Sequence, residues 1–167
     1  ISTVAGSGAG HVGGPFSAMD LLIALYFRVM NIKPEEPRWP ERDRFILSKG
    51  HSSIGQYVVM ALRGYLPVEE LKTFDKGASR LQGHPDVTKL PGLDTSTGSL
   101  GQGLSVGLGF ALGARMRGQK FHTFVVMGDG ETLDTTLVAA GESVRVDGTI
   151  DGDLIVAAKH VNVRGRV

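Results

Sequence analysis

A carboxylate between two glycines, directly after an apolar run, is the first candidate for chemistry in this sequence. Residues 125–127 favour a β-strand, and Gly128, Asp129, Gly130 and Glu131 follow at once. At the carboxyl end of a strand, glycines let a ligand approach the backbone, and a carboxylate can hold a hard cation such as Mg²⁺ beside phosphate oxygens. Asp between glycines is also common in turns, so the motif alone does not identify a site.

Three histidines lie in glycine-rich or turn-rich segments, where a loop can present an imidazole to a cleft. They are His11, His51 and His84. A single histidine in such a setting is more often a solvated surface residue, but three in a domain that also carries the Gly-Asp-Gly motif favour a functional role. Their spacing matches no zinc motif. His122 and His160 lie in strand-like runs and are predicted to be structural.

A second glycine-rich segment, residues 97–103 (TGSLGQG), opens a predicted helix over residues 99–117. Backbone N–H groups at the start of a helix favour phosphate, and glycines let it approach. Each glycine inside a helix costs up to about 1 kcal/mol relative to alanine, so the many glycines here indicate close packing against a cofactor or another backbone. The sequence leaves both explanations open.

Alternating helices and strands must position these residues. The predicted helices cover residues 17–30, 53–64, 67–74 and 99–117, and the predicted strands cover residues 45–47 and 121–127. The first helix is apolar on most faces, which predicts deep burial, and Ser17 with Asp20 suits a capping box at its start. Strands that alternate with helices predict an α/β domain with a mostly parallel sheet.

The end of the chain contains an internal repeat. Residues 137–140 (LVAA) recur as residues 155–158 (IVAA), an offset of 18, and residues 144–150 recur as residues 161–167, an offset of 17. Each copy alternates apolar and polar residues and turns at Gly or Asp-Gly, which is typical of short strands stacked as rungs of a parallel β-solenoid. A β-hairpin meander is the alternative, and we favour the solenoid.

The composition excludes several classes of function. The 167 residues carry a net charge of +1, which gives no reason to expect nucleic acid or an anionic membrane as a partner. No apolar run is long enough to span a bilayer. The sequence has no cysteine, which excludes thiolate chemistry and predicts a cytoplasmic location. The chain opens at Ile1 without a methionine, so we expect a fragment.

Five segments, in order and without large gaps within about residues 1–131, carry a family resemblance. They read GSGAGHVGGPFSAMDLLIALYF, RWPERDRFILSKGHSS, RLQGHP, STGSLGQGLSVGLGFALGARMRG and FVVMGDGE. They resemble the amino-terminal domain of transketolase, and more narrowly the split bacterial form whose amino-terminal half is a separate subunit. The resemblance implies a doubly wound α/β domain that binds thiamine diphosphate and Mg²⁺. It also implies transfer of two-carbon ketol units between sugar phosphates.

The resemblance implies a role for each matching residue. His11, His51 and His84 would line the site, handle substrate oxygens and transfer protons. Asp129 would bind Mg²⁺. The residues around the cofactor and its diphosphate would be Gly98, Ser99, Leu100, Gly128, Asp129, Gly130 and Glu131.

The sequence departs from the transketolase pattern after Glu131. The family continues with a helix and then a strand that leads to an asparagine of the metal shell, whereas residues 132–152 show no 3.6-residue period. Asn162 could be laid over that asparagine, but the repeat explains the same residues better. Over residues 135–167 the repeat resembles bactofilin-like, polymer-forming proteins. We therefore expect an incomplete transketolase-like domain over residues 1–131 and a bactofilin-like β-repeat fragment, short and solenoid-like, over residues 132–167.

The resemblance implies that the chain supplies only half of a site. In this family the glutamate that activates the cofactor's pyrimidine ring lies in a second domain, and the site forms across a subunit interface. We therefore expect an oligomer, inactive by itself, that acts on sugar phosphates together with a carboxyl-terminal transketolase subunit. Two alternatives stay open: a non-catalytic bactofilin-like scaffold, and another thiamine diphosphate enzyme such as a deoxyxylulose-phosphate synthase.

Overall fold

The structure, a computed structural model, describes residues 1–131 apart from the side chain of Asp129, and the backbone of two further strands. The helices are α1 (Ser2–Ser7), α2 (Gly13–Ala24), α3 (Ser53–Arg63) and α4 (Gln102–Met116). The strands are β1 (Arg44–Leu47), β2 (Thr123–Val126), β3 (Leu137–Asp147) and β4 (Leu154–Arg164). A π-helical turn (Leu25–Val29) continues α2, and short 3-10 segments cover Gly50–Ser52, Val68–Thr73 and Asp129–Glu131.

Strands β1 and β2 pair in parallel, as the alternation of helices and strands predicts. The register runs from Arg44 opposite Thr123 to Leu47 opposite Val126. The N–H of Ser48, directly after β1, donates to the carbonyl of Val126 at 2.8 Å. The carboxyl ends of both strands therefore meet at one edge of the sheet, which we call the carboxyl edge.

The core lies between α2, α3, β1 and the irregular segment that precedes α4. Helix α3 is buried along most of its length, and Tyr57, Val59 and Met60 are fully inaccessible. It ends where Gly64 takes a φ of 101°, a left-handed conformation that glycine adopts without strain. Within the described residues, no helix is both long enough and apolar enough to cross a membrane.

The predictions for the first long helix are wrong in two respects. Helix α2 begins at Gly13, and Ser17 lies inside it with its Oγ donating to the carbonyl of Gly14 at 2.9 Å, so it is not the cap. The prediction that the helix is deeply buried is also wrong. Leu22 is fully buried, but Phe16 is 53% exposed. The helix covers α3 with one face only, and a uniformly apolar sequence does not indicate which face that is.

Two buried aspartates hold the beginning of β1. The carboxylate of Asp94 accepts hydrogen bonds from Arg42 and from the N–H of Phe45, which ties the irregular segment before α4 to the sheet. The carboxylate of Asp43 accepts the N–H of His122 at 2.7 Å. His122 is therefore held through its backbone, while its side chain is 79% exposed.

The repeat copies form β3 and β4, which pair in parallel. Leu137 lies opposite Leu154 and Asp147 opposite Arg164, so the offset is 17 residues throughout. The hairpin meander is wrong for these strands, because a hairpin requires antiparallel pairing. In the first half of the repeat, the strand register therefore differs from the sequence offset of 18, since Val138 lies opposite Ile155. The side chain of His160, predicted to be structural, lies outside the described residues.

Candidate functional site

A cleft of about 590 Å³ opens where the predicted histidine loops meet. His11 and His84 both line it. The ring of His51 stands edge-on to that of His11, with 5.5 Å between the centroids. Gly14 packs against the segment that carries His51, because a Cβ there would clash with Oγ of Ser52. The structure thus brings the three predicted histidines to one place, although they come from three separate segments.

Close backbone contacts bring the loop of His51 and the segment before α4 together. A Cβ on Gly50 would lie only 2.7 Å from the carbonyl oxygen of Thr97, so no larger residue fits there. Gly98 in turn faces the ring of His84, since its Cβ would lie 3.5 Å from Cδ2. The predicted cofactor-binding segment therefore begins beside a predicted catalytic histidine.

Side chains of α3 and a strained aspartate hold the backbone that carries His84. Tyr57 donates its hydroxyl to the carbonyl of His84 at 3.3 Å, and Ser53 donates to the carbonyl of Gly83 at 2.7 Å. From the cleft side, Asp75 accepts the N–H of Gly83 at 3.1 Å. Asp75 itself has a φ of 56°, which is uncommon for a residue other than glycine. These three residues were not predicted from the sequence; Ser53 and Tyr57 act on a segment 30 and 27 residues away.

The environment of His51 favours its neutral form. Burial lowers the pKa of the imidazole most, and the nearby His11, Lys49 and His84 lower it further. Glu131 acts in the opposite direction but does not outweigh them. A neutral imidazole at the cleft can accept a proton, which is what a general base must do.

At the carboxyl edge, the carboxylate of Glu131 joins three glycine-rich segments. Its Oε1 accepts the N–H of Gly128 at 2.8 Å, and its Oε2 accepts the N–H of Gly101 at 2.9 Å and the hydroxyl of Ser48. The Oγ of Ser48 in turn accepts the N–H of Gly103 at 3.2 Å. Ser48 was not singled out in the sequence; the available signal was a hydroxyl residue directly after an apolar strand.

The pKa of Glu131 lies below its usual range. Burial by itself raises it, but hydrogen bonds from Gly128, Ser48 and Gly101, together with the nearby His51, lower it by more. The carboxylate is therefore ionised at neutral pH. Its charge is compensated by donors of the chain itself.

The remaining predicted cofactor residues lie at the surface beside this cluster. Gly98, Ser99 and Leu100 are exposed, with Leu100 57% accessible, and Gly130 is exposed in the 3-10 turn. The N–H groups of Gly101 and Gly103 are already used by Glu131 and Ser48. A cofactor could use these two N–H groups only by displacing Glu131 or Ser48.

The metal-binding predictions concern side chains that the structure does not describe. The side chains of Asp129 and Asn162 lie outside the described residues; only their backbones are placed, in the 3-10 turn and in β4. Within the described residues, no group of three or more His, Asp or Glu side chains could hold a metal ion. Asp129 remains a predicted ligand.

The sequence matches the family described as transketolase, thiamine diphosphate binding domain, over residues 1–159. The chain belongs to this family. The resemblance inferred from the motifs is thereby confirmed, and the family match extends beyond Glu131. Thiamine diphosphate is the cofactor of the family's domain.

Two curated relatives are transketolase subunits. The 6-deoxy-6-sulfo-D-fructose transketolase subunit SqwG of Clostridium sp. (strain MSTE9) is 46% identical over 125 residues, which cover 75% of this chain and 46% of the relative. An apulose-4-phosphate transketolase subunit of Phocaeicola vulgatus is 39% identical over 145 residues, covering 85% of this chain and 51% of the relative. The chain thus spans about half the length of these relatives.

A solved structure shows the same fold. Transketolase from Campylobacter jejuni superposes with a TM-score of 0.76 over 93% of this chain and 35% of that one, at 22% identity. At this identity the likeness concerns the fold alone. It confirms the α/β architecture predicted from the sequence.

Proposed function

We propose that this chain is the amino-terminal part of a transketolase-type transferase. It contributes half of a Mg²⁺–thiamine diphosphate site for the transfer of two-carbon ketol units between sugar phosphates. The observation that carries the proposal is the convergence of His11, His51 and His84 at one cleft in a chain of this family.

The residues at the carboxyl edge fit the diphosphate of this cofactor. Exposed backbone lies beside His84 at residues 98–100, and the turn after β2 has no side chain at Gly128 and Gly130. Glycines let phosphate approach the backbone. We assign Gly98, Ser99, Leu100, Gly128 and Gly130 to the cofactor and Asp129 to Mg²⁺. Bound thiamine diphosphate would supply the nucleophilic carbon for ketol transfer.

The three histidines would handle the substrate. His51 has the lowered pKa and would accept a proton from a sugar hydroxyl. His11 and His84 line the cleft and would hydrogen-bond to substrate oxygens. This division of roles follows from exposure, since His51 is partly buried and the other two histidines are exposed.

We propose that the partner is a second subunit. Both relatives are named subunits, which supports a site shared with a second chain. A carboxyl-terminal transketolase subunit would complete the site within an oligomer, so that the isolated chain would be inactive. With no cysteine in the sequence, we propose a cytoplasmic location.

We further propose that a transketolase-like domain over residues 1–131 is followed by a bactofilin-like β-repeat over residues 132–167. The parallel pairing of the two copies at a constant offset supports this division, because stacked rungs pair in this way. The family match to residue 159 favours a second candidate, in which the tail belongs to the transketolase domain. A chain that ends at Glu131 separates them: undiminished cofactor binding supports the division, and lost binding supports the second candidate.

Activity with a partner tests the main proposal. The chain is mixed with a cognate carboxyl-terminal subunit, Mg²⁺, thiamine diphosphate and a xylulose-phosphate donor. General acid–base catalysis contributes about 10²–10⁴-fold, so His51→Ala should lower kcat within that range. His122→Ala, with its exposed side chain outside the cleft, is the control. An active mixture in which His51→Ala turns over like the wild type would contradict the assigned role, and an inactive wild-type mixture would contradict the function.

A further inference from the structure

Three donors of the chain itself occupy both oxygens of the Glu131 carboxylate. One oxygen accepts the N–H of Gly128, and the other accepts the N–H of Gly101 and the hydroxyl of Ser48. An ionised carboxylate only accepts hydrogen bonds, and so does a diphosphate oxygen. Glu131 therefore cannot hydrogen-bond to a diphosphate, and two negative groups in contact would repel each other.

Ser48 extends the contact into the first turn of α4. Its side chain is fully buried, donates to Glu131 and accepts the N–H of Gly103 at 3.2 Å. A Cβ on Gly103 would clash with the Cβ of Ser48, so this approach requires glycine. Through one carboxylate and one hydroxyl, the end of β1, the start of α4 and the turn after β2 are held together. We call these two side chains the Glu131–Ser48 clamp.

We propose that Glu131 is a positioning residue of the cofactor site: the clamp holds the turn before α4 and the turn after β2 at a fixed separation. The inference rests on the proposed function, since these two turns carry the backbone assigned to the cofactor. Glu131 acts through Gly101 and Gly128 and does not touch the cofactor. A ligand that binds both turns then binds a preorganised backbone and does not have to order it.

Glu131→Gln on the full 167-residue chain tests the clamp. Glutamine keeps the size of the side chain, but its amide nitrogen is a donor and cannot accept an N–H. Its amide oxygen can still accept one N–H, so we expect hydrogen exchange at Gly101 or at Gly128, measured by NMR without cofactor, to become at least about tenfold faster. We also expect the affinity for Mg²⁺–thiamine diphosphate, from NMR titration, to fall at least about tenfold, with a thermal midpoint close to that of the wild type.

Two further variants separate positioning from folding. Glu70→Gln is the control, because it also removes a carboxylate that accepts two hydrogen bonds, both donated by Arg80. Glu70 does not line the cleft, so this variant should leave exchange at Gly101 and cofactor affinity unchanged. Ser48→Ala removes the link to Gly103 and keeps the two backbone contacts of Glu131. It should speed exchange at Gly103 and, because Glu131 loses one of its three donors, also lower the affinity for Mg²⁺–thiamine diphosphate. If Glu131→Gln does not fold, wild-type exchange and affinity in Ser48→Ala would overturn the inference.

The outcomes are distinct. If Glu131→Gln loses affinity for the cofactor while exchange at Gly101 and Gly128 is unchanged, Glu131 is a direct ligand of the cofactor. This result would overturn the inference. Wild-type affinity and exchange in this variant would overturn it as well. If the wild-type chain binds no cofactor even with a cognate carboxyl-terminal subunit present, the proposed function fails, and the exchange rates alone still decide whether the clamp exists.

Discussion

Arg42 and Asp94, 52 residues apart in the chain, form a buried ion pair with two hydrogen bonds of 2.6 and 3.0 Å. The exposed fractions of their side chains are 8% and 4%. The pair joins the start of β1 to the irregular segment that carries His84 and leads to α4. The pair therefore stabilises the position of the segment that carries His84, although neither residue lines the cleft.

Removal of one member of this pair should be strongly destabilising. We expect Asp94→Ala to lower the free energy of unfolding by about 3–5 kcal/mol, because it leaves the guanidinium of Arg42 buried without a counter-charge. Urea unfolding followed by circular dichroism measures the change. Glu36→Ala, which breaks the exposed pair with Lys33, is the control and should cost no more than about 1 kcal/mol. Equal losses in both variants would contradict the structure.

The free energy of unfolding should depend on pH in the acid range because of the carboxyl group of Glu70. Its hydrogen bonds and ion pair with Arg80 hold the pKa of the carboxyl below its usual value, although burial opposes them. A carboxyl whose pKa is lower in the folded state adds stability above its ordinary pKa, and this contribution is lost as the pH falls through the lower, folded value. Glu70→Gln should therefore cost about 0.2–1 kcal/mol at pH 7, and the cost should shrink as the pH falls through the lowered pKa. A cost that persists unchanged at pH 3 would show that the carboxylate charge is not responsible.

Replacing glycine by alanine at two positions of α4 should change the free energy of unfolding in opposite directions. Gly107 is buried, and a Cβ there would clash with Cγ2 of Val125 in β2, so Gly107→Ala should destabilise by about 1–3 kcal/mol. Gly109 has open space around it, so Gly109→Ala should stabilise by about 0.5–1 kcal/mol through helix propensity. Thermal unfolding of both variants checks the opposite signs. Two shifts of the same sign would show that the contact between α4 and β2 is wrong.

Cofactor binding by the isolated chain should be weak. Asp129 is the one predicted metal ligand we retain, and Mg²⁺ holds its octahedral geometry poorly with a single fixed protein ligand. We expect calorimetry to give an affinity for Mg²⁺–thiamine diphosphate weaker than micromolar, and Asp129→Ala to abolish it. Asp20→Ala, exposed on α2, is the control. Micromolar binding that Asp129→Ala abolishes would instead favour Asn162 as a second ligand.

Local patterns in the sequence determined the elements that carry the site. The predicted helix over residues 53–64 corresponds to α3 (Ser53–Arg63), and the predicted strand over residues 121–127 contains β2 (Thr123–Val126). Both are marked by the spacing of apolar residues and by glycine at an end, which act over a few residues. The three histidines and the Gly-Asp-Gly segment were also identified from residue type and neighbours alone.

Tertiary structure alone decided which side chains meet. Nothing in the segment around Glu131 indicates that its carboxylate is held by Ser48 and Gly101, because these partners lie 83 and 30 residues away. The same holds for the face of α2 that is covered, since an apolar helix offers several faces and the neighbouring α3 selects one. Spacing along the chain encodes periodicity, which is local, whereas hydrogen-bond partners and burial depend on how the elements pack in space.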